Sequence, residues 1–185
     1  MIDIYDSEAL IKGYRLFNKK CEAVDKFIKN HAFYFGPTTA EYGSLDVINN
    51  IIELMTRKNQ LINLKIIVDN AIKSLSEKDK QILFVKMHYN LQMSEICGIL
   101  ELKERTAFRR IEKAFENLTE ALNNSKYREK LERIIDGESW LIDIKEEVRE
   151  RRLAFKGRTA ECLWINSQQL LCFWFFLRSK FECLS

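Results

Sequence analysis

The chain has 185 residues, of which 31% are charged and 46% are hydrophobic, and its formal net charge is +3. This composition is typical of a folded protein and excludes a polycation, so any attraction to nucleic acid must come from a local patch. One proline and six glycines favour a largely helical chain, and we predict an all-α fold.

The first ten residues combine acidic side chains with no apolar run, which argues against a signal peptide. The five cysteines form no CxxC pair and no spacing typical of zinc ligands. We therefore expect a cytoplasmic protein with reduced thiols and without a metal or other cofactor. The cysteines are Cys21, Cys97, Cys162, Cys172 and Cys183.

Residues 1–75 are predicted to form an antiparallel helical hairpin. The first helix, residues 7–32, carries apolar side chains in steps of three and four, as in a coiled coil. These are Leu10, Tyr14, Phe17, Cys21, Val24 and Ile28. A loop at residues 33–43 contains Gly36-Pro37, and Ser44 is placed to cap a second helix that continues to Leu75.

The second helix of the hairpin has two sets of apolar residues. One seam of this helix is Leu54, Leu61, Leu64, Val68, Ala71 and Leu75. Further isoleucines widen this face beyond what one partner helix can cover: Ile48, Ile51, Ile52, Ile62, Ile66 and Ile67. The hairpin is therefore either a plain structural stalk or an oligomerisation arm that makes a homodimer.

Residues 76–125 are predicted to form a helix-turn-helix domain. Ser76 and Asp79 make a capping pair for a supporting helix. The next stretch, MSEICGILELKERTAFRRIEK, has the pattern of a short helix, a tight turn and a longer basic helix. The short helix has Ile96, Ile99 and Leu100 at helical spacing. The longer helix has an apolar face of Ala107, Ile111, Ala114, Phe115, Leu118 and Leu122.

The polar face of the longer helix is the candidate surface for double-stranded DNA. Arginine can bind guanine O6 and N7 together, while lysine and threonine suit phosphates. The candidate residues are Lys103, Arg105, Thr106, Arg109, Arg110 and Lys113. Six glutamates bring the region close to neutral, which favours tighter binding by a dimer. The alternative is a solvated helix face without a ligand.

The run from Leu75 resembles the fourth conserved region of bacterial sigma-70-type RNA polymerase sigma factors, over about a quarter of the chain. The matching positions are Leu75, Glu77 to Lys80, Ile82 to Tyr89, Glu95-Ile96-Cys97, Leu100, Leu102, Thr106, Arg110-Ile111, Ala114 and Leu118. Cys97 replaces the usual alanine, and Glu101 lies where glycine is usual in the turn. A non-glycine residue with positive φ is unfavourable there.

This resemblance implies DNA binding and docking on RNA polymerase. The hairpin does not resemble a sigma domain that melts the −10 element, and the layout is similar to small phage-type transcriptional regulators of Gram-positive bacteria. We therefore predict a sigma-like, sequence-specific transcriptional regulator. The alternative is a protein-interaction module that docks on RNA polymerase or on an anti-sigma-like partner without reading DNA.

Residues 126–156 are predicted to form C-terminal helices. The first contains Leu131, Ile134 and Ile135 and stops near Gly137, and Ser139 is placed to cap the second. The second carries Trp140, Leu141, Ile144 and Val148 on one side. Its charged run KEEVRERR is typical of a solvated helix face, and the alternative is an arm that binds nucleic acid.

Residues 157–185 are an apolar tail without capping residues or a polar face. Its longest apolar run, residues 170–177, is far shorter than the roughly 20 residues that cross a bilayer. Three interpretations stay open: sequence from a shifted reading frame, a segment that lies on a membrane or partner, and a segment that packs on the hairpin.

We do not expect an enzyme. His31 and His88 lack the sequence context of metal ligands, and the chain has no glycine-rich phosphate loop and no nucleophile elbow. The carboxylates lie among lysines and arginines at helix-pair spacing.

Overall fold

The computed structural model describes residues 1–34, 44–88 and 93–154, which form eight helices and no strand. The all-α prediction is confirmed for these residues. The first seven helices are α1 (Ile4–Gly13), α2 (Leu16–Tyr34), α3 (Ser44–Lys73), α4 (Glu77–His88), α5 (Met93–Leu100), α6 (Glu104–Asn123) and α7 (Arg128–Gly137). The eighth, α8, occupies residues 139–154. The Gly36-Pro37 loop and the tail at residues 157–185 lie outside the described residues.

Met1–Lys145 form one compact unit, and Glu146–Ser185 form a second, of which residues 146–154 are described. In the first unit a single cluster of buried apolar side chains runs from Ile2 to Leu141. This core continues across residues 75 and 125, where we expected domain boundaries. No helix in the described part of the chain has the length and hydropathy needed to cross a membrane.

The helix predicted at residues 7–32 is divided into α1 and α2 by a turn at Tyr14 and Arg15. α1 begins earlier than expected, because Asp3 and Asp6 form a capping box. The Asp6 N–H donates to the Asp3 carboxylate (2.8 Å) and the Asp3 N–H donates to the Asp6 carboxylate (3.0 Å). The capping box satisfies backbone groups at the start of the helix.

The last residue of α1, Gly13, lies in close contact with side chains of α8. A Cβ atom at Gly13 would lie 2.8 Å from Cζ3 of Trp140 and 3.5 Å from Leu141. A side chain at Gly13 would therefore require the Trp140 ring to shift. α1 also packs against α4 and α6, so it belongs to the central core.

α2 and α3 pack side by side and run antiparallel. Lys58 pairs with Asp25 at 2.6 Å, and Lys65 donates to Asn18 at 3.0 Å. A step of seven residues forward along α3 thus corresponds to seven residues back along α2. The same register continues four residues beyond Lys65 and four residues before Asn18, where the Tyr14 hydroxyl donates to Asp69. Burial and then this hydrogen bond raise the pKa of Tyr14, so the hydroxyl stays protonated.

α6 is the helix around which the core is arranged, because α1, α3, α4 and α5 all contact it. Its buried residues are Ala107, Ile111, Ala114, Phe115, Leu118 and Leu122, the same six that the sequence predicts. At its C-terminal end the Asn123 amide bonds both backbone groups of Ile2. The Ile2 N–H donates to Asn123 Oδ1 at 3.2 Å, and Asn123 Nδ2 donates to the Ile2 carbonyl at 2.9 Å.

Polar contacts also position α4 relative to α6. The Asp79 N–H donates to the Ser76 hydroxyl at 3.3 Å, and that hydroxyl donates to the Asp79 carboxylate at 2.9 Å. The predicted capping pair is therefore present. Asn117 of α6 donates to the same carboxylate at 2.9 Å, so one aspartate joins the helix cap to the neighbouring helix.

Glu138 connects α7, α8 and the middle of α3. Its buried carboxylate accepts two hydrogen bonds of 2.9 Å from the Arg57 guanidinium and one of 2.8 Å from Trp140 Nε1. This two-pronged geometry is a strong form of ion pair. The Glu138 carbonyl accepts the N–H of Leu141, so Glu138 occupies the position from which α8 starts. The prediction that Ser139 caps this helix was wrong by one residue.

Candidate nucleic-acid interface

A three-residue turn, residues 101–103, joins α5 to α6. The Leu102 N–H donates to the Cys97 carbonyl at 3.0 Å, and the Glu101 N–H donates to the Gly98 carbonyl at 3.4 Å. This pair of bonds is the Schellman motif that ends many helices. It requires a left-handed residue at Glu101, whose φ is +51°. The turn thus keeps the backbone shape that glycine favours, although its residue is a glutamate.

The six candidate DNA-binding side chains are all exposed: Lys103, Arg105, Thr106, Arg109, Arg110 and Lys113. Because an α-helix turns about 100° per residue, their directions follow from the buried face of α6. Arg109 points almost directly away from that face. Arg105 and Lys113 point about 40° to either side of Arg109.

Arg105, Arg109 and Lys113 form a ridge along the outer side of α6, which we call the basic ridge. Each member is four residues from the next, so the ridge is about 12 Å long, similar to the width of a DNA major groove. Thr106 and Arg110 lie on one flank of this ridge. Within the described residues no ion pair or side-chain hydrogen bond holds Arg105, Arg109 or Arg110. These three guanidinium groups are therefore free to bind a ligand.

Two of the four glutamates of α6 lie off the basic ridge, and the other two, Glu116 and Glu120, continue its line beyond Lys113. Glu104 and Glu112 are exposed. Glu112 points to the flank opposite Arg110, about 60° from Arg109, and Glu104 points about 140° away from Arg109. Five basic and two acidic side chains occupy residues 103–113, which leaves this half of the helix with a charge of +3. Lys113 is 3.2 Å from Glu116, and both are more than half exposed. Exposed pairs of this kind contribute little and are easily exchanged for another partner.

The start of α6 lacks a side-chain cap. Lys103 is the N-cap residue, with φ −65° and ψ 143°, and no side chain accepts a hydrogen bond from the first helical amides. The first amides of a helix have no partner within the helix and carry a partial positive charge. Together with Lys103 and Arg105 they make this end of the basic ridge favourable for a phosphate group.

Ile99 is not in the core, contrary to the prediction from its spacing. Its side chain is 55% exposed, whereas Ile96 is fully buried and Leu100 is half-buried. The buried face of α5 is centred on Ile96 and extends toward Leu100 and Cys97, so Ile99 lies at its solvent edge. Ile99 and the exposed Phe84 line a groove of about 810 Å³ between α3, α4 and α5.

Residues 1–34, 44–88 and 93–154 contain no group of three His, Cys, Asp or Glu side chains arranged to hold a metal ion. Burial raises the pKa of the half-buried Cys21 thiol, which lowers its reactivity.

The sequence did not point to two residues that position this surface. These are Asn123, which donates to the Ile2 carbonyl, and Asn117, which donates to the Asp79 carboxylate of α4. Their partners are distant in the sequence, so no local spacing could have shown them.

Comparison with known protein families, curated proteins and solved structures gives no significant match for this chain. The likeness to sigma region four therefore depends on the residues of the 75–118 stretch alone.

Proposed function

We propose that this chain is a sequence-specific, DNA-binding transcriptional regulator that inserts α6 into the major groove. The basic ridge of Arg105, Arg109 and Lys113 carries the proposal. Its side chains lie opposite the buried face of α6, on a helix whose other side is fixed in the core. A rigid helix with an exposed cationic ridge is the element that helix-turn-helix proteins place against base edges.

The turn before α6 supports the same proposal. A short helix, a three-residue turn and a longer helix are present at α5, residues 101–103 and α6, as in a helix-turn-helix unit. Ile96 of α5 is fully buried, and α5 packs on α6. The first amides of α6 and the Lys103 ammonium would bind a phosphate at the edge of the groove. This contact would fix the depth and register of the helix on the duplex.

The residues of the interface would have different tasks. Arg109 points most directly outward, so it is the first candidate for a base edge, with Arg105 beside it. Lys103 and Thr106 lie in or near the first turn of α6, where they would bind backbone phosphates. Arg110 lies on a flank and would bind the phosphate backbone on that side. The resemblance to sigma region four is consistent with this division of roles.

A second candidate function is favoured by the apolar groove beside the motif. Phe84 and Ile99 are more than half exposed, and lysine and glutamate side chains line the same groove. An apolar surface with a charged rim suits a protein partner. In this alternative the chain docks on RNA polymerase or on an anti-sigma-like partner without reading DNA.

The test is selection of bound fragments from total DNA of the source organism, using the full chain at low salt. The parent protein should enrich a defined sequence, and the triple variant R105A/R109A/R110A should lose that enrichment. A matched control removes three exposed lysines elsewhere, K19A/K29A/K130A, and should keep it. If the parent enriches nothing, or if both triple variants behave alike, the DNA proposal fails. Capture of RNA polymerase by all three proteins would then favour docking.

A further inference from the structure

α3 has a second apolar face that points away from the core. Leu61, Leu64 and Val68 are fully buried on one side. On the opposite side five large apolar side chains are between 39% and 55% exposed. These are Ile48, Ile52, Met55, Ile62 and Ile66. Exposed apolar surface of this extent usually marks a contact with another molecule.

The spacing of this face is that of a coiled coil. With the exposed Asn59 included, its six residues follow one another in alternating steps of four and three. Ile52, Asn59 and Ile66 then occupy a positions, and Ile48, Met55 and Ile62 occupy d positions. We call these six residues the outer seam. It extends over 18 residue steps, about 27 Å along the helix.

Among the described residues of Met1–Lys145, the helices pack on other sides of α3 and leave the outer seam exposed. α2 packs on an adjacent side of α3, through Lys58 with Asp25 and Lys65 with Asn18. The core packs on the opposite side, through residues such as Leu64. A straight seam of period 3.5 is complementary to another helix that winds around it, rather than to a compact ligand.

We propose that the outer seam forms a parallel, two-stranded coiled coil with α3 of a second copy of this chain. Asn59 is the main reason for choosing an identical partner in parallel register. A buried asparagine at an a position bonds well to the same residue of the other strand, and it specifies two strands in register. The β-branched Ile52 and Ile66 at the other a positions also favour two strands.

The residues that flank the outer seam fit this arrangement. The e-type positions hold Asn49, Thr56 and Asn63, and the g-type positions hold Ile51, Lys58 and Lys65. In a parallel dimer Lys58 lies against Asn63 of the second copy, so no two like charges meet. An antiparallel dimer would instead bring the two Lys58 side chains together and would place the Asn59 amide against Met55.

Sedimentation equilibrium of the full chain without DNA tests the interface directly. The parent should be a dimer at micromolar concentration, and I52E/I62E should weaken association at least about 100-fold. Because both residues are exposed, the variant should keep the parent's helical circular dichroism. I99E is the matched control, since Ile99 and Ile52 are both 55% exposed, and it should dimerise like the parent. A monomeric parent, or an I52E/I62E variant that associates like the parent, would overturn the proposal.

Oxidative cross-linking tests the register. N59C should form a disulfide with N59C of a second copy, recovered by mass spectrometry as two linked tryptic peptides of residues 59–65. Q60C changes the same peptide at a position that faces away from the outer seam, and it should give little of this product. If N59C does not link to itself but links to M55C in a mixture of the two variants, the helices are antiparallel and the proposal is wrong.

Discussion

The left-handed turn residue at Glu101 allows the local structure to be tested by one substitution, Glu101→Gly. A non-glycine residue in the left-handed region costs about 1–2 kcal/mol. Glycine removes this cost, but it loses about 0.5–1 kcal/mol more conformational entropy on folding. The net expectation is a stabilisation of about 0.5–1 kcal/mol.

Thermal unfolding followed by circular dichroism measures this effect. A change of 1 kcal/mol shifts Tm by roughly 2–4 °C in a protein of this size, so Glu101→Gly should raise Tm by about 1–4 °C. Glu101→Ala is the control, because alanine keeps the unfavourable left-handed conformation, and its Tm should change by less than about 2 °C. A neutral or destabilising Glu101→Gly, or an equal gain from Glu101→Ala, would show that the turn does not have this geometry.

Two further substitutions test contacts far apart in sequence. Asn123→Asp removes the donor to the Ile2 carbonyl and should lower the free energy of unfolding in urea by about 1–3 kcal/mol. The control Asn124→Asp adds the same charge at an exposed neighbour and should change it little. Equal losses in the two variants would refute the role of the Asn123 amide. Lys145→Ala removes the ammonium that lies 2.6 Å from the buried Asp6 carboxylate and should cost about 1–3 kcal/mol at pH 7. Burial already raises the pKa of Asp6, so protonation of that carboxyl stabilises the folded variant. The loss of unfolding free energy in Lys145→Ala should therefore shrink as the pH falls toward 4. A loss that does not depend on pH would contradict this explanation.

The helices of the core were predictable because their burial follows local spacing. The six apolar residues of α6 recur at helical intervals, and all six are buried. The same reasoning placed the stop of α7 at Gly137 and the capping pair at Ser76 and Asp79. Spacing determines which side of a helix is apolar, and in α6 that side packs against α1, α3, α4 and α5.

Spacing alone gave wrong predictions where burial of a side chain or the length of a helix depends on the neighbouring helix. Ile99 has helical spacing but lies at the edge of a short helix whose partner is α6, so its side chain is exposed. The apolar spacing from Leu10 to Ile28 predicted one continuous helix, but a turn at Tyr14 divides it. The two parts have different partners, since α1 packs on α4 and α6 and α2 packs on α3. Gly13 looked unremarkable in the sequence, but its close approach to Trp140 is a contact across 127 residues of chain.

The outer face of α6 was predictable for a different reason. Once the buried side of a helix is known, every other side chain has a fixed direction. The sequence therefore identified the exposed basic residues, although the shape of the turn at Glu101 required the structure. Whether the ligand of the basic ridge is DNA is tested by a binding measurement.

The salt dependence of duplex binding tests the central proposal most directly. Fluorescence anisotropy with one labelled duplex from the selection should show that log K falls linearly with log salt for the parent protein. Replacing a phosphate-contacting residue, as in K103A, should reduce that slope by about one unit and weaken all sequences alike. Replacing a base-contacting one, as in R109A, should cost about 1–3 kcal/mol and relax preference at one position. Unchanged affinity and slope in both variants would contradict the proposal that α6 binds DNA.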